Sequence, residues 1–429
     1  MKAIISNRIY LNRPPEGWDN IKKALTYRIE HKPIGPNKTM GLEFIRNYKH
    51  LPKDILSIPQ GRVDLIPQGY EIIDKRTYNE LPLPEPLLPL REDQKTIIDK
   101  INDSCFLNAL VGWGKTFAAL HLAKKLGQKT LIVTHTTILR DQWREEIEKL
   151  YRMPVGIIGS GSYDIDHTLV VGNVQTLTKY STELGKEFGT IILDEAHHCP
   201  ASTFTNIIDA SYARYRIGLS GTMLRKDGKH ILFRDYFGST VLQPEQANTI
   251  DPVIKVVKSG ISLRAGEPWT KKINILLYDP DYQSYIAAIA SAQKQLGHVT
   301  LIIADRVEFL TNIKEMLGET CVLVTGSTSL EERKQIAEQI ESGEKTIIAG
   351  SRQIFSEGIS INKLSCVILA TPISGEALLE QIIGRIMRQH PNKKSPEVVD
   401  IQFSGSADRA QNNARIGLYM KKGWKIKTI

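Results

Sequence analysis

Cysteine is scarce in this 429-residue chain: Cys105, Cys199, Cys321 and Cys366 stand far apart, with no C-x-x-C pair and no zinc-ligand spacing. That excludes a disulfide framework for a chain this size and points to a reducing, cytoplasmic compartment. Long apolar runs are missing too. None approaches the roughly 18 residues of a membrane span, and Met1-Lys2-Ala3-Ile4-Ile5-Ser6 lacks the sustained apolar core of a secretory signal. No internal repeat is visible, which argues against a solenoid. Acidic surplus is absent as well: 56 Lys and Arg against 47 Asp and Glu leave +9, a modest excess that suits a polyanionic partner. At about 150 residues per domain, the length predicts two to three domains.

Punctuation comes at Leu81-Pro82-Leu83-Pro84-Glu85-Pro86-Leu87-Leu88-Pro89. Four prolines in nine residues forbid helix and central strand, so residues 81–89 read as an extended linker. Residues 1–80 show no strong periodicity and carry 14 basic against 9 acidic residues; they read as a small α+β accessory domain, either duplex-binding or a regulatory cap. After the linker, β-branched runs such as Thr130-Leu131-Ile132-Val133, Thr190-Ile191-Ile192-Leu193 and Thr346-Ile347-Ile348-Ala349 alternate with helical stretches. That texture predicts an α/β architecture of parallel sheets built from βαβ units. Two lobes are expected, residues 90–250 and 273–429, with 251–272 as a connector.

Ala109-Leu110-Val111-Gly112-Trp113-Gly114-Lys115-Thr116 lies between an apolar stretch and a helical run. This is the strand–loop–helix setting of a phosphate-binding loop. Gly112 and Gly114 let backbone N–H groups converge on phosphate oxygens at a helix N-terminus. Lys115 would reach the β- and γ-phosphates, and the Thr116 hydroxyl would hold Mg²⁺. About 80 residues later the strand Ile191-Ile192-Leu193 ends in Asp194-Glu195. Asp194 can hold the metal, partly through water, and Glu195 can activate the attacking water. ATP and Mg²⁺ are the expected cofactors. His197-His198-Cys199 does not read as a metal site, because adjacent residues point apart and no partner cluster exists.

From Leu90 onward, about 340 residues, the chain resembles superfamily 2 helicases and translocases, whose motifs occur in order. The resemblance implies two RecA-like lobes. It makes Arg91 and Gln94 in Leu90-Arg91-Glu92-Asp93-Gln94 adenine-side contacts, and it accepts Ala109 at the first position of motif I. Val133-Thr134-His135 with Gln142-Trp143 resembles motif Ia. Thr134, Gln175 and, in the second lobe, Thr325 would touch nucleic acid. Asp194-Glu195-Ala196-His197 matches motif II, and Gly218-Leu219-Ser220-Gly221-Thr222 resembles motif III. The Arg225-Lys226-Asp227-Gly228 that follows fits the branch with duplex-DNA translocases. Phe355-Ser356-Glu357-Gly358-Ile359-Ser360 resembles motif V, with Gly358 on the nucleotide side, and its Gly-Ile-Ser-Ile form is similar to phage branch-migration helicases. Gln381-Ile382-Ile383-Gly384-Arg385-Ile386-Met387-Arg388 matches motif VI, which implies catalytic roles for Gln381, Arg385 and Arg388. Three apart, the two arginines would share a helix face and could stabilise charge on a departing phosphoryl group. The usual alanine of motif III is Gly221 and the usual aspartate of motif V is Ser360, departures that bear on coupling.

The segment Arg409 to Ile429 has six basic and no acidic residues. Lys421, Lys422 and Trp424 there suggest phosphate contact and base stacking. The expectation is an ATP-driven helicase or translocase acting on duplex or branched DNA, such as forks and four-way junctions. An RNA helicase and the motor of a restriction-type system are the alternatives.

Overall fold

The computed structural model describes residues 1–14, 16–31, 41–110, 112–197, 201–221, 228–245, 249–263, 268–352, 361–373 and 375–429. The chain divides into two compact units, Met1–Glu245 and Gln246–Ile429.

The first unit is built on an eight-stranded sheet. From edge to edge it runs Ser162–Tyr163, Gly156–Gly159, Leu169–Asn173, Thr130–Thr134, Thr190–Leu193, Tyr215–Ser220, Cys105–Asn108 and Val241–Leu242. All neighbours are parallel except the hairpin at the first edge. Central strands such as Thr130–Thr134 and Thr190–Leu193 are buried at every position, which is why they read as unbroken β-branched runs rather than alternating ones. The helix Thr137–Tyr151 buries Trp143, Ile147, Leu150 and Tyr151, the three-and-four spacing of one helical face. Thr136 caps it by accepting from the Leu139 N–H at 3.2 Å. Tyr151 donates to the Leu120 carbonyl at 2.9 Å, pinning this helix to Lys115–Leu126.

Residues 1–80 are mostly strand. Lys49–Leu51, Ile55–Pro59, Arg8–Asn12, Lys2–Ile5 and Glu71–Asp74 form a five-stranded sheet in that order, with one short helix, Asp19–Ala24. Ala3 and Ile5, Ile9 and Leu11, Leu56 and Ile58 fill its core. The period-two pattern is present, but in strands only four or five residues long it is too brief to rise above the background. A separate antiparallel pair joins Thr26–His31 to Gly41–Arg46.

The Pro-rich stretch 81–89 is extended, yet it is a strap rather than a free tether. Leu83 is buried in the core of the larger sheet, and Leu81 and Leu87 donate backbone hydrogen bonds to the carbonyls of Gly127 and Leu150.

The second unit holds a seven-stranded parallel sheet, in the order Cys321–Val324, Ile347–Ser351, Val299–Ala304, Leu364–Leu369, Glu397–Ser404, Val253–Ser262 and Lys425–Thr428. The stretch expected as a connector, 251–272, therefore supplies a ten-residue strand. Val253-Ile254-Lys255-Val256-Val257 alternates and buries Ile254 and Val256, a pattern masked by the polar residues that follow it. Among the described residues, no helix is long and apolar enough to cross a membrane.

Candidate nucleotide site and its surroundings

Parallel α/β sheets bind ligands at the carboxyl ends of their strands, and the first unit gathers its motifs there. The phosphate loop follows Cys105–Asn108, the Asp-Glu pair follows Thr190–Leu193, and between them in the sheet Tyr215–Ser220 carries the Gly218-Leu219-Ser220 motif. Gly112 and Gly114 have φ of 93° and 90°, a left-handed backbone that favours glycine. A side chain at 114 would also lie 2.6 Å from Gln94 Nε2. Lys115 and Thr116 open the helix Lys115–Leu126. The Lys115 ammonium donates to the Ala109 carbonyl at 3.2 Å and lies 3.7 Å from Glu195 Oε1. The two motifs thus meet in space.

Glu195 has φ of 46°. For a residue with a Cβ this is strained backbone, of order 1 kcal/mol, and it turns the chain sharply at the strand tip. Asp194 is buried with both oxygens engaged: the Trp143 indole N–H donates to Oδ2 at 2.7 Å and the Glu195 backbone N–H to Oδ1 at 2.9 Å. Burial, then the neighbouring Glu195 carboxylate, push the Asp194 carboxyl up to about 6, against the pull of the indole and Lys115. Glu195 Oε2 lies 3.3 Å from His197 Nδ1, which shares a 2.6 Å hydrogen bond with Ser220 Oγ. The Ser220 carbonyl accepts from the Ala109 N–H at 2.9 Å. A polar path therefore links the Asp-Glu pair, the Gly218–Ser220 strand end and the phosphate loop.

Two partners in this network were not assigned by sequence. Trp143 was legible only as part of a motif, although a buried indole demands an acceptor. His197 does not read as a metal ligand, and its bond to Ser220 follows from the sheet order.

Gln94 is buried and braces the loop. Its Oε1 accepts from the Arg91 N–H at 3.2 Å and its Nε2 donates to the Trp113 carbonyl at 2.9 Å, where Arg91 also donates at 2.8 Å. The amide expected to face adenine is thus committed to the backbone on both sides.

In the second unit, Gln381 and Arg385 lie buried on the helix Glu376–Ile386. Arg388 falls beyond the helix end, where it bridges to Thr249 and its guanidinium donates to Asn362 Oδ1 at 3.3 Å. The shared helix face expected for Arg385 and Arg388 is not formed, because the helix stops at Ile386. Gly358 and the rest of motif V, with Thr222 to Asp227, lie outside the described residues.

The expected nucleic-acid contacts fare unevenly. Gln175 is on the surface, donating to the His135 carbonyl at 3.2 Å, and Lys421 is exposed. Thr134 is fully buried and bonded to the Thr136 carbonyl, and Thr325 is buried against Ser327, so neither hydroxyl faces outward. Trp424 is a core residue beside Tyr419, their rings 6.1 Å apart. Its backbone N–H donates to the Tyr419 carbonyl at 3.0 Å, in the turn between the helix Ser406–Lys421 and the strand Lys425–Thr428. Lys422 is paired with Glu380 at 3.1 Å.

A glycine loop, a helix-opening lysine and an Asp-Glu pair gathered at the strand tips of one sheet are the equipment of a nucleoside-triphosphate hydrolase. The comparisons narrow the class. Residues 87–225 match the family described as type III restriction enzyme, res subunit, and residues 282–390 the helicase conserved C-terminal domain. The probable helicase D10 of Escherichia phage T5 is 40% identical over 100% of this chain and 96% of its own length. The ATP-dependent DNA helicase uvsW of Enterobacteria phage T4 is 26% identical over 73% of this chain and 68% of its own. The solved structure of S. cerevisiae Dbp5 bound to RNA and ADP BeF3 shares the fold, with a TM-score of 0.56 at 12% identity over 79% of this chain and 89% of that one. The chain belongs to the superfamily 2 helicases, with tandem RecA-like parallel-sheet lobes, and is an ATP-dependent helicase.

Proposed function

We propose that the protein is an ATP-driven DNA motor that remodels branched DNA, moving forks or four-way junctions. The observation that carries the motor reading is the meeting of Lys115 and Glu195 at 3.7 Å across two strand tips. It puts a phosphate-binding cation beside a general-base carboxylate. Lys115, with the N–H groups about Gly112 and Gly114, grips the phosphates. Glu195, held toward His197 and Ser220, takes a proton from the attacking water. Arg91, half exposed, and Gln94 border the nucleotide. In the second unit, Arg385 and Arg388 carry the positive charge, and Gln381 the neutral amide, of the motif that the helicase resemblance links to hydrolysis.

The donors fit Mg²⁺: Thr116 and Asp194 supply hydroxyl and carboxylate oxygen, and a carboxyl raised by burial and a like charge favours a nearby cation. Among the described residues no cluster of three or more His, Cys, Asp or Glu could cage a metal alone, so the ion would be shared with phosphate oxygens. When bound, Mg²⁺ would neutralise charge on those oxygens.

DNA is favoured over RNA by the Arg-x-Asp-Gly sequence after motif III and by the relative named as a DNA helicase. Gly-Ile-Ser-Ile in motif V supports branched substrates. The test is ATP hydrolysis and strand displacement on single-stranded, blunt duplex, forked and four-way DNA, with RNA as control. Strongest stimulation by RNA would replace this reading with the RNA-helicase one.

A further inference from the structure

The hairpin Thr26–His31 with Gly41–Arg46 is a two-stranded sheet of its own, separate from the five-stranded sheet of residues 1–80. Successive strand residues point to opposite faces, and the two faces differ sharply. On one, Ile29 is buried, and Tyr27 and Ile45 pack on the core of the larger sheet. Tyr27 donates to Asp235 Oδ1 at 2.7 Å and Lys229 to Glu43 at 2.9 Å. The hairpin is thus fastened to the first RecA-like lobe on that side. On the other face Arg28, Leu42, Phe44 and Arg46 are exposed, Phe44 to 61% and Leu42 to 51%. The register sets Arg28 directly across from Phe44, and Arg46 follows two residues along the same strand and the same face.

An outward aromatic ring, with one arginine across the strand pair and another two residues along its own strand, has the chemistry of a base-stacking surface. The ring offers a π-face to any base, and the arginines meet the phosphates that accompany it. The surplus of positive charge in residues 1–80, 14 basic against 9 acidic, favours a polyanion. Within a duplex the base faces lie inside the stack, so away from its ends only unpaired bases could use Phe44.

We propose that the Arg28–Phe44–Arg46 face binds single-stranded DNA, stacking an unpaired base at the branch point of a fork or junction. The proposal rests on the DNA-motor reading above and adds where the unpaired strand is held. Three full-length variants test it: Phe44→Ala, Phe44→Trp, and the double change Arg28→Ala with Arg46→Ala. Binding is measured on dT20, a blunt duplex and a fork, with basal ATP hydrolysis as the check on folding. Loss of one stacked base weakens binding by about 5- to 160-fold. Phe44→Ala should show that loss on dT20 and the fork, with blunt-duplex affinity and basal hydrolysis unchanged. Phe44→Trp should restore affinity and show indole fluorescence quenching on adding dT20 beyond that of the wild type. The double arginine variant should bind dT20 more weakly and flatten its salt dependence, because each phosphate contact adds about 0.7 to the slope for single strands. Unchanged dT20 and fork binding in Phe44→Ala overturns the stacking proposal, and leaves the motor reading intact if the wild type still displaces strands. A wild type that responds only to RNA overturns the DNA reading, and with it the DNA assignment of this face.

Discussion

Each carboxylate of the Asp-Glu pair is handled differently, and the difference sets what substitution does. Glu195 is poised between Lys115 and His197. Glu195→Gln keeps its shape and removes the proton acceptor, so nucleotide should bind and turnover should fall by about 10²–10⁴-fold; binding of a fluorescent ATP analogue beside steady-state hydrolysis checks both halves. Asp194 depends on the Trp143 indole. Trp143→Phe fills most of the space but leaves a buried carboxylate oxygen without its donor, a loss of about 1–3 kcal/mol. The Mg²⁺ needed for half-maximal analogue binding should rise several-fold, and an unchanged Mg²⁺ requirement would make the indole simple packing. The sign of the pH effect follows from the raised Asp194 carboxyl. With its midpoint at about 6, the folded protein holds a proton that an ordinary aspartate has lost. Its stabilising effect on the fold is present in acid and is lost as pH rises through about 6. The cation needs the carboxylate, so Mg²⁺ half-saturation should rise about tenfold from pH 7 to pH 5.

At the scale of elements, the phosphate loop is stiffened by its neighbours. Arg91 and Gln94, at the start of the helix Glu92–Asp99, both donate to the Trp113 carbonyl. Gly114, at φ of 90°, sits against the Gln94 amide with no room for a Cβ. Gly114→Ala should therefore disturb the loop twice, by strain and by displacing Gln94. A drop of more than tenfold in nucleotide affinity, measured by calorimetry, is expected, and Gln94→Ala in the same chain should recover only part of it. In the second unit the decisive element is the helix Glu376–Ile386. By ending where it does, it places Arg385 on its last turn and leaves Arg388 to the following segment, against Asn362.

Over the first unit as a whole, residues 1–80 are wired into the lobe by buried polar groups. Asp235, fully buried, accepts from Tyr27 at 2.7 Å, Asn47 at 2.7 Å and Arg62 at 3.1 Å. Arg8 pairs with Asp209 at 2.8 Å. Arg216, also fully buried and lowered by burial to about 9, donates to the carbonyls of Asn7, Ile208 and Ser211. Deleting residues 1–80 would strip Asp235 of Tyr27, Asn47 and Arg62, Asp209 of Arg8, and Arg216 of the Asn7 carbonyl, so the truncated chain should lose thermal stability and ATP hydrolysis together, whatever that segment does on DNA. Arg62→Ala should lower stability by about 3 kcal/mol, since breaking a buried ion pair strands its partner. A melting temperature within a degree of wild type would mean that Tyr27 and Asn47 suffice for Asp235.

The α/β lobes, the phosphate loop and the Asp-Glu pair are legible in the chain before it folds. Buried parallel strands must be β-branched, and phosphate chemistry demands glycine, lysine and carboxylate at fixed places in a strand–loop–helix. Strand order is not legible there. Folding puts Gly218–Ser220 between the two motifs, sets Trp143 against Asp194, and brings His197 to Ser220. Those contacts join residues 23 and 51 apart in sequence. Folding decides equally against Trp424, Thr134 and Thr325 as outward contacts. Composition shows a basic, aromatic tail, whereas burial depends on how the last helix and the turn after it pack on the core. A local pattern records what each residue needs, and the packing of distant elements decides which partner supplies it.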